Sequence, residues 1–410
     1  MSKMNRLNIV HICDHLGWPG SRMHGVKRLF SWMIPRFDTN RFNVTLISLR
    51  KKDLSEETLE QFGIEVTYLG KSKFDPMTLP ALLAMLDRKR ADVLHLHGFG
   101  ATTFGRLAAA WRRWPVVLHE HSNSGTHGSR SGVTKTPWFQ KLADALLAPY
   151  TDLAIAASKS TAQFVVQERR IPTVRTKVVY LGAPLEEFGQ PLEPESVKRA
   201  RDFLGITPKT TAVGTVTRLM PPKGNRYLVA AARYVLEIEP SARFYIVGEG
   251  ELRSVLEAQA HDLGVADRVT FTGYTREVAA AFAALDVVVF PSLWEGTPLT
   301  AFEALAMGKP IVASATDGLT DILTHNHDAL LVPKADSRAL AKAILELLHD
   351  SQLRERLGRQ AQVTSTVYDV RDFVRKMERL YTILHETSRR TSRAGVLEAD
   401  LDFLSKGIRL

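Results

Sequence analysis

The stretch "FPSLWEGTPLTAFEALAMGKPIVAS", Phe290 to Ser314, decides how this chain is built. It reads as a strand end, a short turn, a helix and the next strand. Thr297 stands where an N-cap belongs, Pro298 at the first helical position and Gly308 just past the end. A strand, a crossover helix and a second strand make two parallel neighbours in one sheet. Glu303 is the odd residue. From Leu299 to Met307 every side chain is apolar or small except Thr300 and Glu303, so the helix is expected to be buried nearly all round. A carboxylate there needs strong hydrogen-bond partners to offset its lost hydration.

The same alternation runs through the rest of the chain. Strands are expected near 7–13, 43–48, 64–68, 92–97, 115–120, 152–156 and 178–181, then near 211–217, 242–247, 268–273, 286–290, 310–314 and 329–332. Amphipathic segments such as "TLPALLAMLDRKR" and "RYLVAAARYVLEIEP" separate them. "LNIVHICDHLGWPG" and "TAVGTVTRLMPPKG" echo each other: each runs a strand into a Gly/Pro loop ahead of a helix. The fold class is therefore α/β, with two doubly wound Rossmann-like domains. The expected division is 1–185, 186–370 and a pair of C-terminal helices in 371–410, the first crossing back to the N-terminal domain. The joint lies in "YLGAPLEEFGQPLEPE", rich in Gly, Pro and Glu.

At 410 residues, 45% hydrophobic and 24% charged, the chain suits two soluble domains of ordinary size. Its one cysteine, Cys13, excludes an internal disulfide and fits a reducing compartment. Asn8, His11 and Asp14 interrupt the N-terminal apolar run, which argues against a secretory signal. No segment approaches the roughly 18 apolar residues of a membrane span. A cytoplasmic protein is expected. Residues 1–190 carry 26 basic against 16 acidic side chains, which accounts for the whole formal charge of +10. That field favours anionic partners and a salt-sensitive peripheral contact with an anionic membrane face. Nucleic acid is not expected, because no aromatic stripe is interleaved with the basic residues.

Open α/β sheets bind ligands beyond the carboxyl ends of their strands, at helix N-termini. The informative motifs lie on such loops. "VGTVTRLMPPKGN" places Arg218 and Lys223 on one loop stiffened by Pro221 and Pro222, a pairing that suits a diphosphate. The helix after Pro298 offers backbone N–H groups from Leu299 onward and a positive dipole end, a seat for phosphate. Glu295 lies in the turn before it. Beside a seated phosphate, Glu303 would meet the diol of a ribose; the other reading is a buried glutamate paired with an arginine of the protein.

The spacing Glu295–x7–Glu303 resembles the E-x7-E signature of family 4 of the retaining glycosyltransferases with the GT-B fold. "GTVTRLMPPKG", "IVGEGELRSVLEAQAHDLGVADRVTFTGY", "VVVFPSLWEG" and "VVYLGAPLEEF" agree with it in order. The likeness is close over 205–335 and loose in the N-terminal half. It implies two domains facing across a cleft and transfer from a nucleotide-diphosphate sugar to a glycan, lipid-linked or cell-envelope acceptor. It further implies that Arg218 and Lys223 hold the diphosphate, Glu303 the ribose hydroxyls, and Glu295 the donor sugar. Gly248 and the backbone of Gly296, Thr297, Pro298 and Leu299 lie on the donor side. Fixed cations and helix N–H groups stabilise the charge that grows on the leaving diphosphate. No metal and no cofactor are expected; Asp400–Leu401–Asp402 sits on a C-terminal amphipathic pattern rather than at a strand end.

In the first half, "VVLHEHSNSG" ends a strand with His119, Glu120 and His121. A strand-end histidine in similar enzymes contacts the donor sugar. His121 is in phase with that motif, while His119 is expected to point to the other face or lie deeper. "DHLGWPGSRMHGVKRL" resembles the family's glycine-rich first loop, with Gly17, Gly20 and Gly25 in place of adjacent glycines. Gly20 falls on the donor side of this pattern and Gly25 on the acceptor side. His97, in "LHLHGFG", is the expected acceptor contact. The linker also departs, with Leu181 where relatives show Asn. A catalytically inactive anion-binding scaffold and a nucleotide-sugar epimerase are the alternative functions. The presence of all four of Arg218, Lys223, Glu295 and Glu303 disfavours the first, and the linker with E-x7-E the second.

Overall fold

The computed structural model describes the chain outside residues 1–5, 18–21, 24, 74, 122–137, 208–209, 297, 390–400 and 406–410, and without the side chains of Arg389 and Asp402. It forms two compact units. One runs up to Leu181 and resumes at Val370; the other is Gly182–Asp369.

In the first unit the order is β1 (Leu7–Cys13), α1 (Gly25–Met33), β2 (Phe42–Ser48), β3 (Val66–Tyr68), α2 (Thr78–Lys89), β4 (Val93–His97) and α3 (Phe99–Arg112). Then follow β5 (Val116–Glu120), α4 (Trp138–Leu147), β6 (Leu153–Ala156), α5 (Lys159–Glu168) and β7 (Thr176–Val178). All seven strands are parallel, in the order β3-β2-β1-β4-β5-β6-β7. The inner strands β4, β5 and β6 are buried at every position, as a sheet covered on both faces requires.

The second unit continues with α6 (Leu185–Phe188), α7 (Pro194–Leu204), β8 (Thr211–Val216), α8 (Asn225–Ile238), β9 (Ala242–Val247), α9 (Arg253–Asp262) and β10 (Val269–Gly273). It ends with α10 (Val278–Ala284), β11 (Val287–Phe290), α11 (Leu299–Ala306), β12 (Ile311–Ser314), β13 (Leu330–Val332), α12 (Ser337–His349) and α13 (Ser351–Ser365). Its six strands are again parallel, in the order β10-β9-β8-β11-β12-β13.

In both sheets the winding reverses once, between β1 and β4 and between β8 and β11. These are the points where a doubly wound sheet opens a crevice at its carboxyl edge. Expected and observed strands correspond throughout, with one shift. The strand expected at 178–181 is β7, Thr176–Val178. Val179 still donates to the Ala156 carbonyl at 3.0 Å, after which the chain turns away at Gly182. That residue has φ +79°, and a Cβ on it would lie 2.0 Å from the Tyr368 carbonyl oxygen. The close approach lets the Ala183 N–H bond Tyr368 O at 2.9 Å, so the outgoing and returning segments run side by side.

The chain returns to the first unit as α14 (Val370–Arg389). Val370, Phe373, Val374, Met377, Leu380, Tyr381 and Leu384 are buried, a three-four spacing that makes one apolar face. Glu378 accepts from the Asp38 N–H at 2.7 Å and holds the helix in place. A second C-terminal helix was expected; the described residues there form only a short 3₁₀ turn, Asp402–Leu404, and Asp400 lies outside them.

Candidate active site

The residues singled out in the second unit gather at its reversal point. Lys223 lies in the loop after β8 and Glu295 in the loop after β11. The Lys223 ammonium sits 2.7 Å from each oxygen of the Glu295 carboxylate, and the Ser292 hydroxyl donates to the same carboxylate at 2.7 Å. Glu295 is 5% exposed, so the pair is shielded on the glutamate side and open on the lysine side. The two loops are stitched together by backbone: Leu293 N–H donates to Pro222 O at 2.8 Å. Pro221 and Pro222 therefore both stiffen the loop and dock it, since the Pro222 carbonyl is the docking point.

Arg218 stands exposed at the end of β8. Gly248, after β9, has φ +139°, and a Cβ there would meet the Thr217 carbonyl oxygen at 1.9 Å. The backbone beside Arg218 is thus packed against a residue that must be glycine.

Helix α11 starts at Leu299, not at Pro298. Pro298 has φ −81° and ψ 72°, outside the helical region, and occupies the N-cap position itself; Thr297 lies outside the described residues. The helix is buried on all sides as expected: Leu299, Ala301 to Ala306 and Glu303 among them are buried, with Glu303 at 0% exposure. Lys223, Glu295, Gly296, Pro298, Leu299 and Glu303 all belong to adjoining loops and the helix that follows β11.

In the first unit the carboxyl-terminal halves of β1, β4 and β5 carry histidines, with His121 just past β5. His11, His95, His97, His119 and His121 lie on one face of the sheet, since their strands are neighbours and each pair on one strand is two residues apart. His119 and His121 therefore share a face, stacked with centroids 4.1 Å apart. His119 is the deeper ring, against Phe373 of α14; the alternative that it points to the other face fails on the two-residue period. His97 is 2% exposed. Its Nε2 lies 3.0 Å from His11 Nδ1 and its Nδ1 2.9 Å from His121 Nε2. Both nitrogens of His97 are engaged, which puts it behind His121 rather than in reach of an acceptor.

Burial holds all five rings in the neutral form: His121 is lowered to about 4 and His11 to about 3, and His95, His97 and His119 lie well below the usual histidine range. Two triads, His11/His95/His97 and His97/His119/His121, have ring nitrogens close enough together to share a metal ion.

On the reverse face Glu120 takes a bond from Arg169 Nε at 2.9 Å, and Asp144 bridges Arg169 and Arg106. This buried network fixes the end of β5 from behind. The N-terminus of α3 is already filled: Asp14 accepts from Gly100 N and Ala101 N at 2.9 and 2.7 Å. Gly25 opens α1; Gly20 lies outside the described residues.

Sequence reasoning found His97, His119 and His121 and missed His11, His95 and Tyr381. The doublets His95–Leu96–His97 and His119–Glu120–His121 carried a period-two signal; Tyr381, 286 residues from His95, carried none.

Residues 24–187 match the glycosyltransferase family 4 model, and residues 196–364 the model of glycosyl transferases group 1. The chain belongs to the group 1 glycosyltransferases. It is 25% identical over 338 residues to a UDP-Gal:α-D-GlcNAc-diphosphoundecaprenol α-1,3-galactosyltransferase of Escherichia coli, covering 81% of this chain and 86% of that one. It is 31% identical over 298 residues to a D-inositol 3-phosphate glycosyltransferase of Mycobacteroides abscessus, covering 68% and 65%. Among solved structures it is similar to Anabaena HepE in complex with UDP, with a TM-score of 0.78 at 22% identity over 92% of this chain and all of that one. The fold is GT-B, and the chain is a glycosyltransferase.

Proposed function

We propose that this glycosyltransferase moves a sugar from a UDP-sugar to a lipid-linked acceptor of the cell envelope, with retention of configuration and without a metal. The observation that carries the reading is the Lys223–Glu295 pair at the reversal point of the second sheet, beside the N-terminus of α11 and the buried Glu303. A cation already ordered by a carboxylate costs little to aim at a diphosphate. The UDP base and the lipid-linked acceptor are supported by relatives: the galactosyltransferase named for UDP-Gal and a diphosphoundecaprenol substrate, and HepE solved with UDP and with UDP-glucose.

In the step itself the bond between the sugar's anomeric carbon and the diphosphate oxygen breaks, and its electron pair stays on the diphosphate. Arg218, Lys223 and the N–H groups from Leu299 onward stabilise that charge, while Glu303 holds the ribose and Glu295 the donor sugar. The acceptor hydroxyl attacks from the same face, and its proton passes to the departing phosphate oxygen. His121 contacts the donor sugar.

The acceptor's lipid calls for a membrane-facing surface, and the exposed apolar side chains of the first unit support that reading. On α4 Trp138, Phe139, Leu142 and Leu146 are exposed, and on α3 Leu107 and Trp111. These two helices pack together in a unit that carries the chain's net positive charge, a combination suited to an anionic lipid surface. Among the described residues no helix is long and apolar enough to cross a membrane.

The test is a thermal-shift series with UDP, GDP and ADP, since a ligand of the native state stabilises by mass action. UDP is expected to raise Tm, and Lys223→Ala and Glu303→Ala to abolish turnover with the fold intact. Wild-type activity in either variant would refute the site; a shift with GDP or ADP alone would refute the donor. Flotation with anionic and with neutral vesicles separates the lipid arm: equal recovery with both counts against it.

A further inference from the structure

The first unit holds more imidazole than sugar binding requires. We propose that Tyr381, His11 and His97 form a one-directional hydrogen-bond chain that locks His121 in a single tautomer, making all three positioning residues for the glycosyl transfer. The inference rests on the reading of His121 as the donor-sugar contact.

The geometry is continuous. The Tyr381 hydroxyl lies 2.5 Å from His95 Nδ1 and 3.3 Å from His11 Nε2. His11 Nδ1 meets His97 Nε2 at 3.0 Å, and His97 Nδ1 meets His121 Nε2 at 2.9 Å. A neutral imidazole carries one ring proton, so it donates through one nitrogen and accepts through the other. The phenol likewise has one proton for its two neighbours. Once any one bond has a direction, all the others follow from it. The surroundings leave little room to escape the rule, because Phe30, Phe37 and Phe373 pack against the rings and offer no competing partner.

The two directions are not equal in energy. His95 Nε2 is buried without a hydrogen-bond partner. One direction strands an N–H there and the other a lone pair, and a stranded N–H is the rarer of the two in folded proteins. The asymmetry at the far end selects one direction for the whole chain. His121 Nε2 thereby accepts from His97 Nδ1–H, and its own proton stands on Nδ1, a fixed donor. Burial supports the premise by keeping every ring uncharged near neutral pH.

A metal is the rival explanation for so many neutral imidazoles. Two histidine nitrogens on a tetrahedral zinc at about 2.05 Å stand roughly 3.3 Å apart, whereas 2.9 and 3.0 Å are N–H···N hydrogen-bond lengths. His97 also spends its two nitrogens on opposite edges of its ring, one toward His11 and one toward His121.

The experiment is nitrogen-15 NMR of the histidine rings in the full-length protein near neutral pH, with and without Tyr381→Phe. In the wild type, His121 is expected to show Nδ1 protonated and Nε2 unprotonated, cleanly resolved; the reverse assignment would overturn the selected direction. In Tyr381→Phe both signals should move toward their average, with kcat lowered roughly tenfold and the donor KM unchanged. If that variant fails to fold, His11→Gln is expected to give the same averaging. Averaged signals in the wild type, unchanged signals in a folded variant, or one equivalent of tightly bound metal in the purified protein would overturn the proposal. A single tautomer in a protein whose His121→Asn variant keeps full activity would leave the chain standing and remove the donor-sugar reading.

Discussion

Four buried imidazoles and a fifth half-buried one, a Lys27–Asp53 ion pair and the Arg106–Asp144–Arg169–Glu120 network lie inside the first unit. The main core cluster of the second runs from Val213 to Leu357 through Val, Leu, Ile, Ala and Phe, and its histidines lie at or near the surface. Both sheets share one order and the same reversal, the first adding β7 at its edge. The topology therefore does not dictate what is buried. In the second unit Lys223 and Glu295 meet on loops at the strand ends, and Glu303 is buried in helix α11 rather than on a strand. The first threads polar groups through the strands themselves, so the end of β5 is held by hydrogen bonds from both faces. An apolar core is stable over a wide pH range; a polar one is stable only while its protons stay in place.

The largest consequence is acid sensitivity confined to the first unit. The unfolded chain takes up protons on histidine below about pH 6.5, while folded His121 waits until about 4 and His11 until about 3, with His95, His97 and His119 also far lowered. Their folded pKa values are depressed, so stability is whole above the unfolded value and falls as pH drops through that window. Each such group removes up to about 1.4 kcal/mol per pH unit, and five acting together exceed the net stability of an ordinary domain within about two units. Glu120 has the opposite sign, since burial raises its pKa, and offsets only one of the five. Hydrogen exchange as pH falls from about 7 to 5 should show residues of β1, β4 and β5 exchanging while β8, β9 and β11 stay protected. Simultaneous loss in both units would break the comparison.

Asp144→Ala tests the charged part of the same interior. It leaves Arg106 and Arg169 facing one another, with only Glu120 still paired. Breaking a buried ion pair from one side costs about 3–5 kcal/mol, expected as a drop in the first unit's unfolding midpoint in urea with the second unit's transition unmoved. Asp144→Asn, which keeps one acceptor oxygen, should recover part of the loss.

How far the chain could be understood from its letters follows the same division. The strands among the described residues were legible because parallel, doubly covered strands are short apolar runs between Gly, Pro and helical periods. In the second unit Arg218, Lys223, Glu295 and Glu303 stood out as polar residues at unusual places in an oily pattern, and two of them, Lys223 and Glu295, meet across neighbouring loops. In the first unit the pattern named His121 but not what stands behind it. The bonds from His121 to Tyr381 pass through three strands and a helix that returns from residue 370, and no local spacing records such a partner. Lys27 with Asp53 and Asp14 on the N-terminus of α3 were missed for the same reason.

Gly182→Ala should give a smaller effect at the segment where the chain enters the second unit. A left-handed φ costs a non-glycine residue about 1–2 kcal/mol, and the added Cβ would press on the Tyr368 carbonyl. A loss of roughly 2 kcal/mol is expected, read as faster exchange at Ala183, whose N–H makes the bond to Tyr368. Spread of the effect into β4 or β5 would argue that the two interiors are coupled.

The smallest effect is the control. Ser158 caps α5 in the first unit by accepting from Thr161 N, and Asp336 caps α12 in the second by accepting from Arg338 N and Ala339 N. Ser158 is buried and Asp336 exposed, yet each serves chiefly its helix end, so Ser158→Ala and Asp336→Ala should each cost about 1 kcal/mol. Equal losses by urea denaturation would confine the difference between the units to what they bury. A loss at Ser158 several times that at Asp336 would show the polar interior reaching α5 through Arg169, the residue just past its end that links Glu120 to Asp144.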